Sequence, residues 1–320
     1  MKKAKLKKTI LMPITFAEPE KYQSAMDFGF WLAKTLRMDI HAIHVTPTFP
    51  LVPRSLVEFD LPVEVGIPNI QLIEEQLARI LEKYTEDPLY EDVNVVRTIK
   101  TGDAANWVCA EAENAELIVL GSSRPKIGLL RHLSMAYRVL ANTTVPVAVV
   151  PTECDFTLNK NVLSLMLADD LENHSKNAAD FGFWIASQLK DAVVNHVYVT
   201  GMTQFSLQAA IDQSMASAYK ANESRPDVDV VYKKIVQEFK KKLTDRTIGW
   251  APQLELARTQ YKPFVLSGYA SYELAKFRNE MKPQMEFYGN HHTLHRKPFG
   301  FGRVPLEAML DGNNVVFIVP

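Results

Sequence analysis

Two loops of this 320-residue chain concentrate the side chains that can hold an anion. After Gly121 come Ser122, Ser123, Arg124, Lys126, Arg131 and His132, with Ser134 just beyond. After Gly289 come Asn290, His291, His292, His295, Arg296 and Lys297, then Gly302 and Arg303. Guanidinium and ammonium groups bind phosphate or carboxylate oxygens through charge-assisted hydrogen bonds. The formal charge of the whole chain is −1, so nothing draws it globally to nucleic acid or to an anionic membrane, and any anion site is local. The bland alternative is a pair of solvated basic loops. His291, His292 and His295 are zinc-ligand types, but they lie in a loop without a helical i, i+4 pair and without a completing acid or cysteine, so no metal is expected. No nucleophile–base pair, P-loop or Walker lysine stands out, and no catalytic residue is assigned.

The elements that must position these loops are written twice. Ala25-Met26-Asp27-Phe28-Gly29-Phe30-Trp31-Leu32-Ala33 returns as Ala178-Ala179-Asp180-Phe181-Gly182-Phe183-Trp184-Ile185-Ala186. The repeat divides the chain into residues 1–153 and 154–320, each long enough to bury its own core. Phe28, Trp31 and Leu32 fit one helical face, as do Phe181, Trp184 and Ile185, so the repeat reads as core packing. Gly29 and Gly182 inside those helices predict a close approach to another element.

In the first half, strands are expected at Thr9–Ile14, Ile40–Val45, Val93–Ile99, Glu116–Leu120 and Val145–Val150. Helices are expected at Ser24–Leu36, Ile70–Tyr84, Ala104–Glu113 with Asp103 as cap, and Leu133–Leu140. The second half repeats the order: strands at Val162–Leu167, Val193–Val199, Leu254–Thr259, Met285–Tyr288 and Val315–Val319, helices at Asn177–Leu189, Ser271–Glu280 and Leu306–Leu310, and a helical insert at about 203–243. Strand–helix alternation predicts α/β architecture, two tandem doubly wound, Rossmann-like parallel sheets of five strands. Ligands in such sheets bind beyond the carboxyl ends of strands at the switch point. The proline-rich segment 46–68 reads as irregular, a lid or a partner-binding loop.

Composition is that of an ordinary globular chain, 47% hydrophobic and 23% charged. Cys109 and Cys154 are the two cysteines, which favours a reducing compartment. The basic start and short apolar stretch do not make a signal peptide, and no run is long enough to span a membrane; the expected location is the cytoplasm.

Several segments resemble the universal stress protein family: Ile10-Leu11-Met12-Pro13-Ile14, Thr101-Gly102-Asp103-Ala104-Ala105, Glu116-Leu117-Ile118-Val119-Leu120-Gly121-Ser122-Ser123, and Arg138-Val139-Leu140 with Val145-Pro146-Val147-Ala148-Val149-Val150-Pro151. The chain is similar to the tandem members. That resemblance implies pairing of the two last strands within one chain as a monomeric pseudo-dimer, or a homodimer. It also implies a phosphate loop of the form Gly-x2-Gly-x9-Gly-Ser/Thr. Here Arg124 and Ser134 replace the second and third glycines of the first copy, and His292 replaces the second of the other, where Gly289 and Gly302 remain. The family's adenine-contacting aspartate is replaced by Thr15 and Leu167, with Asp169 and Asp170 just beyond. The resemblance implies a non-enzymatic stress-response protein that senses a small anionic ligand, ATP or AMP, through degenerate phosphate loops. The site candidates are Thr15, Gly121, Ser122, Ser123, Arg124, Ser134, Gly289, Asn290, His292, Gly302 and Arg303. Alternatives are a scaffold that binds an unidentified protein partner instead of a nucleotide, and a nucleotide hydrolase or glycosyltransferase-like enzyme suggested by Phe299-Gly300-Phe301-Gly302-Arg303.

Overall fold

The computed structural model describes residues 8–16, 22–47, 70–122, 135–154, 162–217, 226–290 and 302–320. They form two compact units that divide near residue 158. The first unit contains β1 (Thr9–Pro13), α1 (Gln23–Leu36), β2 (Asp39–Thr46), α2 (Ile70–Thr85), β3 (Val95–Thr101), α3 (Ala104–Ala112), β4 (Leu117–Ser122), α4 (Met135–Asn142) and β5 (Val147–Pro151). Its strands are parallel, in the order β3-β2-β1-β4-β5. Buried runs such as Ile10-Leu11-Met12, Leu117 to Leu120 and Val147 to Val150 are what a parallel sheet covered on both faces requires.

The second unit contains β6 (Ser164–Ala168), α5 (Asn173–Gln188), β7 (Val193–Thr200), α6 (Gln204–Ser217), α7 (Val228–Asp245), α8 (Ala251–Leu256), β8 (Gln260–Ser267), α9 (Ala270–Met281), β9 (Met285–Gly289), α10 (Arg303–Asp311) and β10 (Val315–Val319). Its order, β8-β7-β6-β9-β10, is the same topology, again parallel. The strand order reverses between β1 and β4 in one unit and between β6 and β9 in the other.

The repeated helix sits against the sheet as its glycines require. A Cβ on Gly29 would meet Met12 Sδ at 2.6 Å, and one on Gly182 would strike the Leu167 side chain. The repeated aspartate is a latch. Asp27 accepts from Tyr84 Oη of α2 at 2.7 Å, and Asp180 accepts from Trp250 Nε1 at 2.9 Å. The expected apolar face needs correction: Phe28, Phe30 and Phe183 are the fully buried rings, whereas Trp31, Phe181 and Trp184 are half-buried. The helix packs against the sheet on one flank and under the following crossover on the other, so a wider arc is covered.

A second correction concerns Leu254–Thr259, expected as a strand. Residues 251–256 are α8, with Pro252 in its first turn, and the strand is Gln260–Ser267. Pro263 lies inside that strand. An edge strand tolerates proline, because its outer N–H groups need no partner, but proline hides the strand from a propensity reading. Likewise β5 starts at Val147 because Pro146 precedes it. The helices α5 and α10 begin earlier than expected, and segment 48–69 lies outside the described residues.

Candidate functional site

Each unit has a cavity at the carboxyl edge of its sheet, beside the point where strand order reverses. The first, of about 250 Å³, is lined by Ile14 and Thr15 after β1, Tyr22 before α1, Ile43, His44 and Val45 of β2, Ala104 and Val108 of α3, Gly121 and Ser122 of β4, and Met135 of α4. The second, of about 240 Å³, is lined by Asp169 and Asp170 after β6, Ser175 of α5, Val197 and Val199 of β7, Ala270 and Leu274 of α9, Tyr288 and Gly289 of β9, and Gly302, Arg303 and Pro305 at the start of α10. The two linings come from equivalent elements. Ile14 N–H bonds Ile43 O at 2.8 Å, and Asp169 N–H bonds Val197 O at 2.9 Å. Asp169 therefore stands at the place of Ile14, and Asp170 at that of Thr15.

This placement corrects the expectation that an aspartate is missing from the end of the second unit's first strand. Leu167 is buried inside β6 against Gly182, and Asp169 occupies the strand end. Asp169 is a hub with 4% exposure. It accepts from His196 Nε2 at 2.9 Å, from Ser175 Oγ at 2.8 Å and from Leu171 N at 2.6 Å. Arg246, which caps the C-terminus of α7, lies 3.2 Å from the same carboxylate and donates to Glu172 O. Burial pushes the Asp169 carboxyl up. The bonds from His196 and Ser175 and the charge of Arg246 outweigh it and hold the carboxyl below its ordinary range. His196 Nδ1 meets Tyr261 Oη at 3.0 Å, which ties the edge strand β8 into the same network.

Beneath the second cavity lies another buried network. Arg278 of α9 pairs with Glu286 of β9 at 2.8 Å, Tyr288 Oη donates to Glu286 at 2.6 Å, and Asn314 Nδ2 donates to it at 2.7 Å. Burial and the neighbouring Glu286 charge raise the Tyr288 phenol well above its usual value, so it stays a neutral donor at the cavity wall.

Among the described residues, the lining of the first cavity is uncharged. His44, 8% exposed, is bonded through Nδ1 to Ile14 O at 2.8 Å and stacked on Phe16 with centroids 3.8 Å apart. Burial lowers its pKa more than the Ile14 bond raises it, so the ring is neutral near pH 7. Asp103, in the loop before α3, caps that helix through Asn106 N at 2.9 Å and takes both Arg138 nitrogens at 2.7 and 2.8 Å.

Among the sequence candidates, Thr15, Gly121 and Ser122 line the first cavity, and Gly289, Gly302 and Arg303 the second. Asn290 is buried and its N–H bonds Val319 O at 2.7 Å. Ser123, Arg124, Ser134 and His292 lie outside the described residues, as do Lys126, Arg131, His132, His291, His295, Arg296 and Lys297. The glycines are unlike one another. A Cβ on Gly289 would come within 2.8 Å of the His174 backbone and 2.9 Å of Ser175 Cα, so glycine is needed there for the helix α5 to approach. A Cβ on Gly121 would strike the Tyr22 ring. At Gly302, the N-cap of α10, only Pro305 among the described residues comes within 4 Å of such a Cβ. Arg303 is exposed and paired with Glu307 one turn on. Sequence reasoning missed Tyr22, His44, Ser175 and Tyr288. Among the described residues, no group of His, Cys, Asp and Glu is arranged to hold a metal ion, and no helix is long and apolar enough to cross a membrane.

A doubly wound parallel sheet with a cavity at its switch point defines a class of small-ligand α/β domains. Residues 7–151 match the Universal stress protein family, and the first half of the chain belongs to it. The fold is similar over 97% of the chain to a universal stress protein from Archaeoglobus fulgidus, at 13% identity, 95% coverage of that chain and a TM-score of 0.59. It is similar over 98% to a functionally unknown protein from Pseudomonas aeruginosa, at 11% identity, 92% coverage of that chain and a TM-score of 0.57. No curated protein matches the chain significantly in sequence.

Proposed function

We propose that this chain is a stress-response protein that binds small ligands at the carboxyl edges of its sheets, and that the second cavity takes a phosphorylated nucleoside. The supporting observation is the polarity of that cavity. Asp169 and Asp170 stand at one wall, suited to hydroxyl or amino donors. The N-terminus of α10, with Gly302 and Arg303, stands at the other, where a helix dipole and a guanidinium favour an anion. Calorimetric titration of the full chain with ATP, ADP and AMP is the test. Binding that weakens in Arg303→Ala supports the reading, and no heat at millimolar nucleotide overturns it.

A second reading, a surface for a protein partner, is favoured by exposed rings around the same edge. Phe205 at the start of α6, with 85% exposure, and Tyr269 and Tyr272 at the start of α9, with 85% and 68%, follow directly after β7 and β8. Exposed apolar groups grouped on one edge mark interaction sites more often than isolated ones do.

A further inference from the structure

The helical insert of the second unit carries its positive charge on one side. Helix α7 packs Phe239 against Tyr198, with ring centroids 4.6 Å apart, buries Leu243, and ends on Arg246, 3.2 Å from Asp169. Tyr232 Oη meets Ser267 Oγ of β8 on that same side. With 3.6 residues per turn, positions 233, 234, 237, 240 and 241 fall on the opposite side. Four of the five are lysines: Lys233, Lys234 and Lys241 are exposed, and Lys240 is half-buried. The spacing of seven in Lys233–Lys240 and in Lys234–Lys241 keeps two rows on one face, over about 12 Å of helix.

The local acids and cations are engaged elsewhere. The ion pairs of this region join Arg246 to Asp169 and Arg258 to Asp191. Asp229, in the first turn of α7, accepts from Gln204 Nε2 at 3.2 Å. Glu238 and Asp245 stand on one flank, and among the described residues no ion pair joins them to the four lysines. Lys242, on the far flank, lies over the Phe239 ring at 5.4 Å. The second row runs on past the helix. Ile248 N–H bonds Asp245 O at 3.3 Å, so the chain continues to turn, and Ile248, seven residues after Lys241, is 69% exposed. A formal charge of −1 for the whole chain hides this patch.

The chemistry of the face selects its partner. Guanidinium forks and aromatic rings, which grip phosphates bidentately and stack on bases, are absent from these rows. Lysine is depleted at protein–protein interfaces, whose centres are aromatic. Compact ammonium charges beside an exposed aliphatic side chain fit a surface that is anionic outside and apolar just beneath, where clusters of lysines bind without a pocket. We propose that this face of α7 docks the protein on an anionic lipid surface through Lys233, Lys234, Lys240 and Lys241, with Ile248 entering the headgroup layer. The proposal does not depend on ligand binding at either sheet edge.

The test is co-sedimentation of the full chain with vesicles of phosphatidylcholine alone and of phosphatidylcholine mixed with phosphatidylserine. Binding is expected to the mixed vesicles only. It should fall away between roughly 0.1 M and 1 M salt, as the screening length shrinks from about 10 to about 3 Å. Lys234→Gln with Lys241→Gln should lower partitioning about twentyfold, near fivefold per lysine. Lys242→Gln with Lys276→Gln removes the same charge away from the rows and should leave partitioning within about twofold. Ile248→Ser should weaken it several-fold. Equal binding to both vesicle types, indifference to salt, equal losses in the two double variants, unchanged binding of Ile248→Ser, or no binding at all would each overturn the proposal. So would lysine-dependent capture of polyuridylic acid or polyglutamate more tightly than of the mixed vesicles, which would make the face a site for nucleic acid or for an acidic protein. Arg303→Ala, the variant that tests the second cavity, should leave vesicle binding unchanged, so the two readings fail separately.

Discussion

The two sheet edges share one topology and differ in how they are held together. Around the first cavity, strand β4 carries Ile118 and Leu120, and strand β1 leads into Ile14. At the equivalent places the second unit has Glu286, Tyr288 and Asp169, each inside a buried polar network. The backbone plan therefore leaves the chemistry of its switch point open. An apolar wall and a buried charge network both fit under the same crossover, provided every charge in the network is met. The second unit meets its charges with long-range partners. Arg246 comes from α7 and Tyr261 from β8, elements that the compact first wall does not need.

The sharpest way to break this comparison is at Asp169. Asp169→Ala removes the carboxylate that buried His196, Ser175 and Arg246 share, leaving Arg246 only the Glu172 carbonyl, and is expected to cost the second unit about 3–5 kcal/mol. Ile14→Val at the equivalent place should cost only about 1 kcal/mol. Urea unfolding followed through tryptophan fluorescence separates the units, since Trp31 and Trp107 lie in the first and Trp184 and Trp250 in the second. Equal losses at the two sites would erase the distinction.

A smaller effect is expected at the retained glycines. Gly289→Ala must push backbone atoms of His174 and Ser175 aside and should cost roughly 1–3 kcal/mol. Gly302→Ala meets only ordinary van der Waals contact with Pro305 among the described residues and should stay within about 1 kcal/mol of wild type. Comparable midpoints for the two variants would contradict the packing role of Gly289.

Acid sharpens the contrast further. The folded pKa of Asp169 lies below its unfolded value of about 3.9. The unfolded state therefore binds more protons in that range. The stability contributed by this carboxylate is present at neutral pH and is lost as pH falls through the folded value. An acid titration should show a Trp184/Trp250 transition whose position shifts in Asp169→Asn, while the Trp31/Trp107 transition stays in place.

The smallest expected change in stability is at Arg303→Ala, within about 0.5 kcal/mol, because its pair with Glu307 is solvent-exposed. The variant should lower nucleotide affinity several-fold in the same calorimetric titration.

Much of the fold was legible because parallel strands buried on both faces leave unbroken apolar runs, as at Ile10 to Met12 and Val147 to Val150. Strand β8 was not, because its place at the edge admits Pro263 and Lys262. The cavity edges were half legible. Gly121 and Gly289 stand at the carboxyl ends of β4 and β9 and were found, but Asp169 was misplaced for a geometric reason. The helix motif fixes an offset of 153 between Asp27 and Asp180. The strands before it end at Pro13 and Ala168, so the second connection is two residues shorter, and a register taken from the helix slides past the strand end. His44 was invisible for another reason. A histidine in strand β2, which also carries His41, looks like core until the structure shows it at the cavity wall bonded to Ile14.

The latch between the repeated helix and its crossover bears on how freely that crossover can vary. Asp27 and Asp180 keep the acceptor, while the donor is a tyrosine of α2 in one case and the indole of Trp250 in the other. A carboxylate accepts equally from a phenol or an indole, so the latch leaves the crossover free to change the ring that closes it.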